Sequence, residues 1–191
     1  MAHSDLAFRR ARRAYELAHV GASVRGLAVA VGLTALAIGL DRATSVTWLV
    51  AATLGATLAV FGWRGGAWRR GSFAGVIAGL PPLIAPSLVM ALGHSNHVGD
   101  MHFCAECSSG PSLACILTCF GTGSLVGMVA GYRATLDTSP RRFALGAIAS
   151  AALTGLLSCG TTGLGGASGV VIGLVAGGVT GWLVAGRTAR A

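Results

Sequence analysis

Between His94 and Cys119 this chain collects three of its five histidines and four of its five cysteines, within a sequence that is otherwise overwhelmingly apolar. His94 and His97 form an HxxH pair, Cys104 and Cys107 form a CxxC pair, and His102 lies between the two pairs in MHFCAEC. Cys115 and Cys119 follow one helical turn apart, and Cys159 is the fifth cysteine. Three chemistries compete for these residues. The first is structural disulfides, for example from the loop to Cys115 and from Cys119 to Cys159. Five thiols leave one over, and connectivity cannot be read from spacing. The second is soft-metal capture, in which His94, His97, His102, Cys104 and Cys107 offer nitrogen and thiolate ligands suited to Zn or Cu(I). Asp100 and Glu106 are either further ligands or solvated loop charges. The third is a sensor, in which oxidation or metal binding ties two helices together through Cys104, Cys107, Cys115, Cys119 or Cys159. Either of the first two chemistries can be its trigger.

Helices must hold these groups, and the composition says where those helices sit. Only 10% of the 191 residues are charged and 53% are hydrophobic, with a mean hydropathy of +0.72. Soluble domains average roughly 25% charged residues, so a chain this poor in charge cannot cover a globule with polar surface. The reading is an all-α, polytopic membrane helix bundle. A helix crossing the hydrocarbon needs about 20 mostly apolar residues. Six stretches fit, at 24–40, 46–63, 72–92, 112–132, 143–160 and 168–186. Residues 1–23 form a basic amphipathic segment, 24–186 the membrane domain with its His/Cys loop at 93–111, and 187–191 a short tail. The first apolar stretch lies behind polar residues and lacks a small-residue cleavage site, so it does not read as a signal peptide.

The basic residues set the orientation. All 14 are arginines. Arg9, Arg10, Arg12, Arg13 and Arg25 precede or open the first stretch. Arg64, Arg69 and Arg70 lie between the second and third, and Arg133, Arg141 and Arg142 between the fourth and fifth. Arg187 and Arg190 follow the sixth, leaving Arg42 alone on the other side. The positive-inside rule then places both termini in the cytoplasm and the cysteines on the periplasmic face of a bacterial inner membrane, where disulfides persist. The net charge of +8 is accounted for by orientation and contact with anionic lipid, with no direct nucleic-acid partner implied. In LAFRRARRAYELAHV, the basic flank with Arg9, Arg10, Arg12 and Arg13 reads either as an interfacial anchor or as a docking segment for a cytoplasmic partner.

Glycine recurs at every fourth position in three stretches: Gly71, Gly75 and Gly79; Gly123, Gly127 and Gly131; and Gly169, Gly173, Gly177 and Gly181. Residues four apart share a helix face, and glycine there lets backbones approach closely, the main attraction left between helices in lipid. The seams pack within the bundle or, along the last stretch, in a homodimer. Pro81, Pro82 and Pro86 are expected to kink or interrupt the third helix. No acidic or basic residue lies deep in a span, which argues against ion-coupled transport. No HExxH, P-loop or GxSxG is present, so no enzyme is expected.

The second half, about residues 112–190, resembles the NrsF-like six-helix membrane anti-sigma factors. The resemblance lies in ACILTC, a span, YRATLDTSPRRFALGAIASAALTGLLSC, and a glycine-rich last span closed by Arg. It implies that Cys115 or Cys119 pairs in function with Cys159 as a periplasmic sensor of metal or oxidative stress, and that the cytoplasmic side holds a sigma factor. CGTTGLGG after Cys159 departs from the family's acidic stretch, and the His/Cys loop is an addition to its pattern. The alternatives are a small metal-handling or transport protein, or a structural subunit of a membrane complex.

Overall fold

The computed structural model describes residues 2–40, 45–95, 113–159 and 164–188. They form six helices: α1 (Ala2–Gly39), α2 (Ser45–Arg64), α3 (Gly66–Ser95), α4 (Leu113–Thr135), α5 (Pro140–Cys159) and α6 (Leu164–Thr188), with no strand among the described residues. Three of them, over Arg10–Gly39, Ser45–Arg64 and Gly166–Arg187, are long and apolar enough to cross a membrane. The outer surface is apolar around the whole bundle. Val31, Leu49, Ile77, Leu125, Leu145, Ile172 and Leu183 all point outward and exposed, far more than the isolated apolar patch of a soluble monomer.

Close approaches at glycine fix how the helices run. Gly26 of α1 lies against Leu58 of α2 and Gly62 against Ala22, so this pair is antiparallel. Gly71 and Gly75 of α3 lie against Phe143 and Ala147 of α5, a parallel pair. Gly123, Gly127 and Gly131 of α4 lie against Val170, Leu174 and Gly178 of α6, also parallel. Gly155 of α5 against Val170, with Gly178 of α6 against Ile148, sets those two helices antiparallel. A small cavity lined by Ala22, Gly26, Gly62, Arg69 and Val76 aligns α3 with α1. Successive helices therefore alternate in direction.

At the α2–α3 junction Gly65 and Gly66 take φ of +64° and +53°, the left-handed region that glycine enters without penalty. At the α4–α5 junction the chain reads Asp-Thr-Ser-Pro. Ser139 caps α5 by accepting from the Phe143 N–H, and Pro140 opens the helix, where its missing N–H costs nothing.

The core is built from small side chains. α5 is central and touches all five other helices. Its Ala147, Ser150, Ala151, Thr154 and Leu157 are fully or almost fully buried. One cluster joins Ala37, Leu54, Leu83 and Leu157, a second joins Ala134, Phe143 and Ala147, and a third joins Cys119, Ala151, Val170 and Leu174. With so few large residues, cohesion comes from the number of close atomic contacts. Two polar groups work against it, the buried hydroxyls of Ser124 and Ser150. The Ser150 hydroxyl is buried and has no hydrogen-bond partner among the described residues, whereas Thr154 donates to the Ser150 carbonyl at 2.8 Å. Ser150→Ala is therefore expected to leave stability unchanged or raise it by up to about 1 kcal/mol, because it removes a desolvated hydroxyl that gains nothing in return. Denaturant unfolding in mixed micelles measures this.

The proline-rich stretch does not interrupt its helix. α3 runs unbroken through Pro81, Pro82 and Pro86 to Ser95. It is pinned from the side. Gly71, Gly75 and Gly79 hold it against α5, the Pro82 ring lies 3.8 Å from where a Cβ on Gly155 would be, and Leu83 is fully buried. Neighbouring helices make prolines tolerable inside such helices. α1 is likewise longer than the first apolar stretch. It is one helix of 38 residues, about 57 Å long against a hydrocarbon core of about 30 Å.

Candidate functional site

The alternation of helix directions gives the bundle two chemically distinct ends. The starts of α1, α3 and α5 and the ends of α2, α4 and α6 come together at one end. They bring Arg64, Arg69, Arg70, Arg133, Arg141, Arg142 and Arg187 there, all on described helices. Trp63, Trp68, Tyr132 and Trp182 sit at the same end, and Trp48 sits near the opposite one, the placement expected of aromatic residues at two membrane interfaces. Trp68 stacks on Phe61 with centroids 4.9 Å apart, and the Arg64 guanidinium lies 5.5 Å from the Trp68 ring.

The cysteines in helices gather at the opposite end. Cys119 lies in the second turn of α4, buried among Ala151 of α5 and Val170 and Leu174 of α6. Its Cβ is 3.5 Å from where a Cβ on Gly169 would stand, so it sits at the outer mouth of the α4–α6 seam. Cys115 is one turn nearer the same end of α4. Cys159 is the last residue of α5, one turn beyond Gly155, which faces Val170. The backbone thus brings these three cysteines to one end, Cys115 and Cys119 in the first two turns of α4 and Cys159 in the last turn of α5. His94 falls in the final turn of α3, inside the helix and ahead of the loop. His97, His102, Cys104 and Cys107, with Asp100 and Glu106, lie outside the described residues. Among the described residues no three His, Cys, Asp or Glu side chains come together as a metal site.

The glycine seams lead away from the Cys119 region. Along α6, a Cβ on Gly169 would lie 3.1 Å from the Ile116 carbonyl oxygen, and one on Gly173, Gly177 or Gly181 would strike the carbonyl of Phe120, Ser124 or Met128. Along α4, a Cβ on Gly123 would lie 2.7 Å from the Val170 oxygen, and one on Gly127 or Gly131 would strike the Leu174 or Gly178 carbonyl. The glycine face of α6 is thus covered by α4 of the same chain. On α3, Gly71 and Gly75 press on the Phe143 and Ala147 carbonyls, and a Cβ on Gly79 would stand 2.6 Å from that of Thr154. The two helices α4 and α6 meet backbone to backbone from the Cys119 level to the arginine end.

At the arginine end the structure contains an ion pair that spacing did not reveal. Arg70, at the start of α3, donates to both carboxylate oxygens of Asp137, in the α4–α5 turn, at 3.0 and 3.1 Å. The Asp137 side chain is only 9% exposed, and it also accepts from the Ser139 N–H at 3.0 Å. The Arg70 hydrogen bond is the main cause holding the Asp137 carboxyl below its ordinary pKa, with the Ser139 N–H adding to it. A sequence signal did exist. Of six acidic residues, Asp137 is the only one in the loops joining helices at the arginine end.

Comparison with protein-family models, with curated proteins and with solved structures returned no match.

The N-terminal part of α1 leaves the bundle at this end. His19 donates from Nδ1 to the Tyr15 carbonyl at 2.9 Å, its ring lies tilted against the Tyr15 ring with centroids 4.0 Å apart, and it meets Trp63 edge-on at 5.9 Å. Trp63 is close to the last residue of α2. Residues 10–18 of α1, beyond it, are all exposed. Arg12 pairs with Glu16 one turn on at 2.9 Å, an exposed i,i+4 pair of small energetic weight.

Proposed function

We propose that this chain is a six-span bacterial inner-membrane regulator of the anti-sigma type, responding to metal or oxidant at its cysteines. The observation that carries the proposal is the segregation of chemistry along the bundle axis. The thiols on the helices sit at one end, the arginines at the other, and a continuous backbone-to-backbone seam joins them. In this reading both termini are cytoplasmic, and Cys115, Cys119 and Cys159 face the periplasm beside His94 at the end of α3 and the loop that carries His97, His102, Cys104 and Cys107. Zn, Cu(I) or oxidation acting there draws the outer turns of α4 and α5 together. α6, packed on α4 through Gly169, Gly173, Gly177 and Gly181 and against Cys119 through Val170 and Leu174, shifts with them. A partner held at the cytoplasmic end then binds one state more tightly than the other. A change from mostly bound to mostly released needs about 5 kcal/mol of differential affinity, and the signal can supply no more than its own preference between the two states.

Thiol counting in sealed, right-side-out membranes tests this reading. Without pretreatment, an impermeant maleimide should label the loop cysteines from outside, and Cys119 should react slowly because it is buried. Peroxide, Zn or Cu(I) should lower the count of reactive thiols. Labelling that requires an opened inner leaflet, or a thiol count unchanged by all three agents, overturns the proposal.

A further inference from the structure

The face of α1 that packs on α2 does not stop where α2 stops. Its rungs inside the bundle are Gly26 against Leu58 and Ala22 against Gly62, and the last is His19 against Trp63. The α2 chain then ends at Arg64 and turns at Gly65–Gly66 into α3. The same face of α1 continues at three- and four-residue spacing through Ala18, Tyr15, Ala11 and Phe8. Phe8 is 72% exposed and Tyr15 66% exposed, and no described element covers them. Arg12 lies beside this stripe, Arg10 further round on its other side and Arg13 on the back of the helix, so the segment keeps an excess of positive charge over its two acidic residues, Asp5 and Glu16.

We infer that the stripe Phe8–Ala11–Tyr15–Ala18 is a docking surface for an acidic amphipathic helix of a cytoplasmic protein, which continues the line of α2 along α1. Three observations select this occupant. The stripe is continuous with an interface already formed, so an apolar helix face of matching spacing extends it. Its flanks carry an excess of positive charge, which favours an acidic partner and penalises a second copy of the same basic helix. α1 is also unbroken from its membrane-crossing part to Ala2, and the stripe faces the space above the end of α2. The mode is helix pairing along an apolar seam, with charge setting specificity.

This inference rests on the regulatory reading only for the purpose of the partner, and its test separates the two. The full chain is placed in nanodiscs of neutral phosphatidylcholine. The probe is a fluorescent designed helix with Leu and Ala along one seam and Glu elsewhere, compared with the same peptide carrying Lys for Glu. The Glu peptide should bind, and the Lys peptide at least tenfold more weakly. Phe8→Ser with Tyr15→Ser, and separately Arg10→Gln with Arg12→Gln and Arg13→Gln, should each weaken Glu-peptide binding about tenfold or more. All five positions are exposed, so the bundle should stay folded. Equal binding of both peptides overturns the inference, as does full binding by the Phe8/Tyr15 variant. A spin label at Ala11 that becomes buried in phosphatidylglycerol nanodiscs gives the stripe to the membrane, and stripe-dependent dimers give it to a second copy. Either result also overturns the inference. Binding that obeys these expectations but ignores peroxide, Zn and Cu(I) leaves the surface standing and removes the sensor reading alone.

Discussion

Gly177→Leu should separate α4 from α6 and abolish the folded bundle, while Gly186→Ala, two turns further along the same helix, should cost nothing. A Cβ on Gly177 would land on the Ser124 carbonyl oxygen, 2.7 Å from its carbonyl carbon and 2.8 Å from its Cα. These are backbone atoms of a helix and cannot rotate away as a side chain can. Even Gly177→Ala should fall at the upper end of the about 1–3 kcal/mol that overpacking costs, and leucine adds further carbons in the same direction. At Gly186 nothing lies within 4 Å, so alanine there should recover up to about 1 kcal/mol of helix propensity. Fluorescence-detected size exclusion after heating, with denaturant titration in mixed micelles, reads both variants. The result also separates the two roles open to the α6 glycines. A seam used between copies would leave Gly177→Leu folded and monomeric at the wild-type melting temperature. That outcome would remove the intramolecular seam, and with it the route from the thiols to the arginine end.

Asp137→Ala should loosen the arginine end without unfolding the bundle, and it should remove an acid-sensitive component of stability that the wild type possesses. Asp137 joins α3 to the α4–α5 turn through two hydrogen bonds from Arg70, and it also accepts from the Ser139 N–H at the start of α5. The arginine lowers the aspartate pKa from its ordinary 3.8. The folded state therefore binds this proton less readily than the unfolded chain does. The stabilisation is complete above the ordinary value and is lost as pH falls through the lower folded value. Wild type and Asp137→Ala should differ by a constant amount from pH 5 to 7, and their stabilities should converge below about pH 4. Salt should reduce the difference, since the Arg70 side chain is half exposed. A difference that persists undiminished into strong acid would show that the aspartate acts through something other than its charge. Hydrogen exchange at the first turns of α3 and α5 should rise in the variant, because that is where the clamp is tied.

Much of this molecule was legible in one dimension because the physics that specifies it is one-dimensional. Apolar runs of 18 or more residues require helices, since no other open segment satisfies its own backbone in lipid. The arginines sit in every second junction, so an alternating chain must bring them to one end. The glycines at every fourth position in 71–79, 123–131 and 169–181 announced backbone contact. Spacing could not say with which partner. The answers, α3 on α5 and α4 on α6, join helices that are not neighbours in sequence, and only the packed bundle selects them.

The prolines show the limit from the other side. Pro81 and Pro82 argue locally for a break, and α3 stays helical because α5 and the buried Leu83 hold it from the side. Asp137 was visible as a loop acid, but its partner lies 67 positions away. The sequence by itself determined the helical class, the two chemical ends and the faces that must pack, because these follow from period and composition. The tertiary structure alone decided which glycine face meets which carbonyl, which arginine meets Asp137, and that the α2-facing stripe of α1 runs on past its partner. Such pairings are chosen by steric fit between distant segments, and no local pattern encodes them.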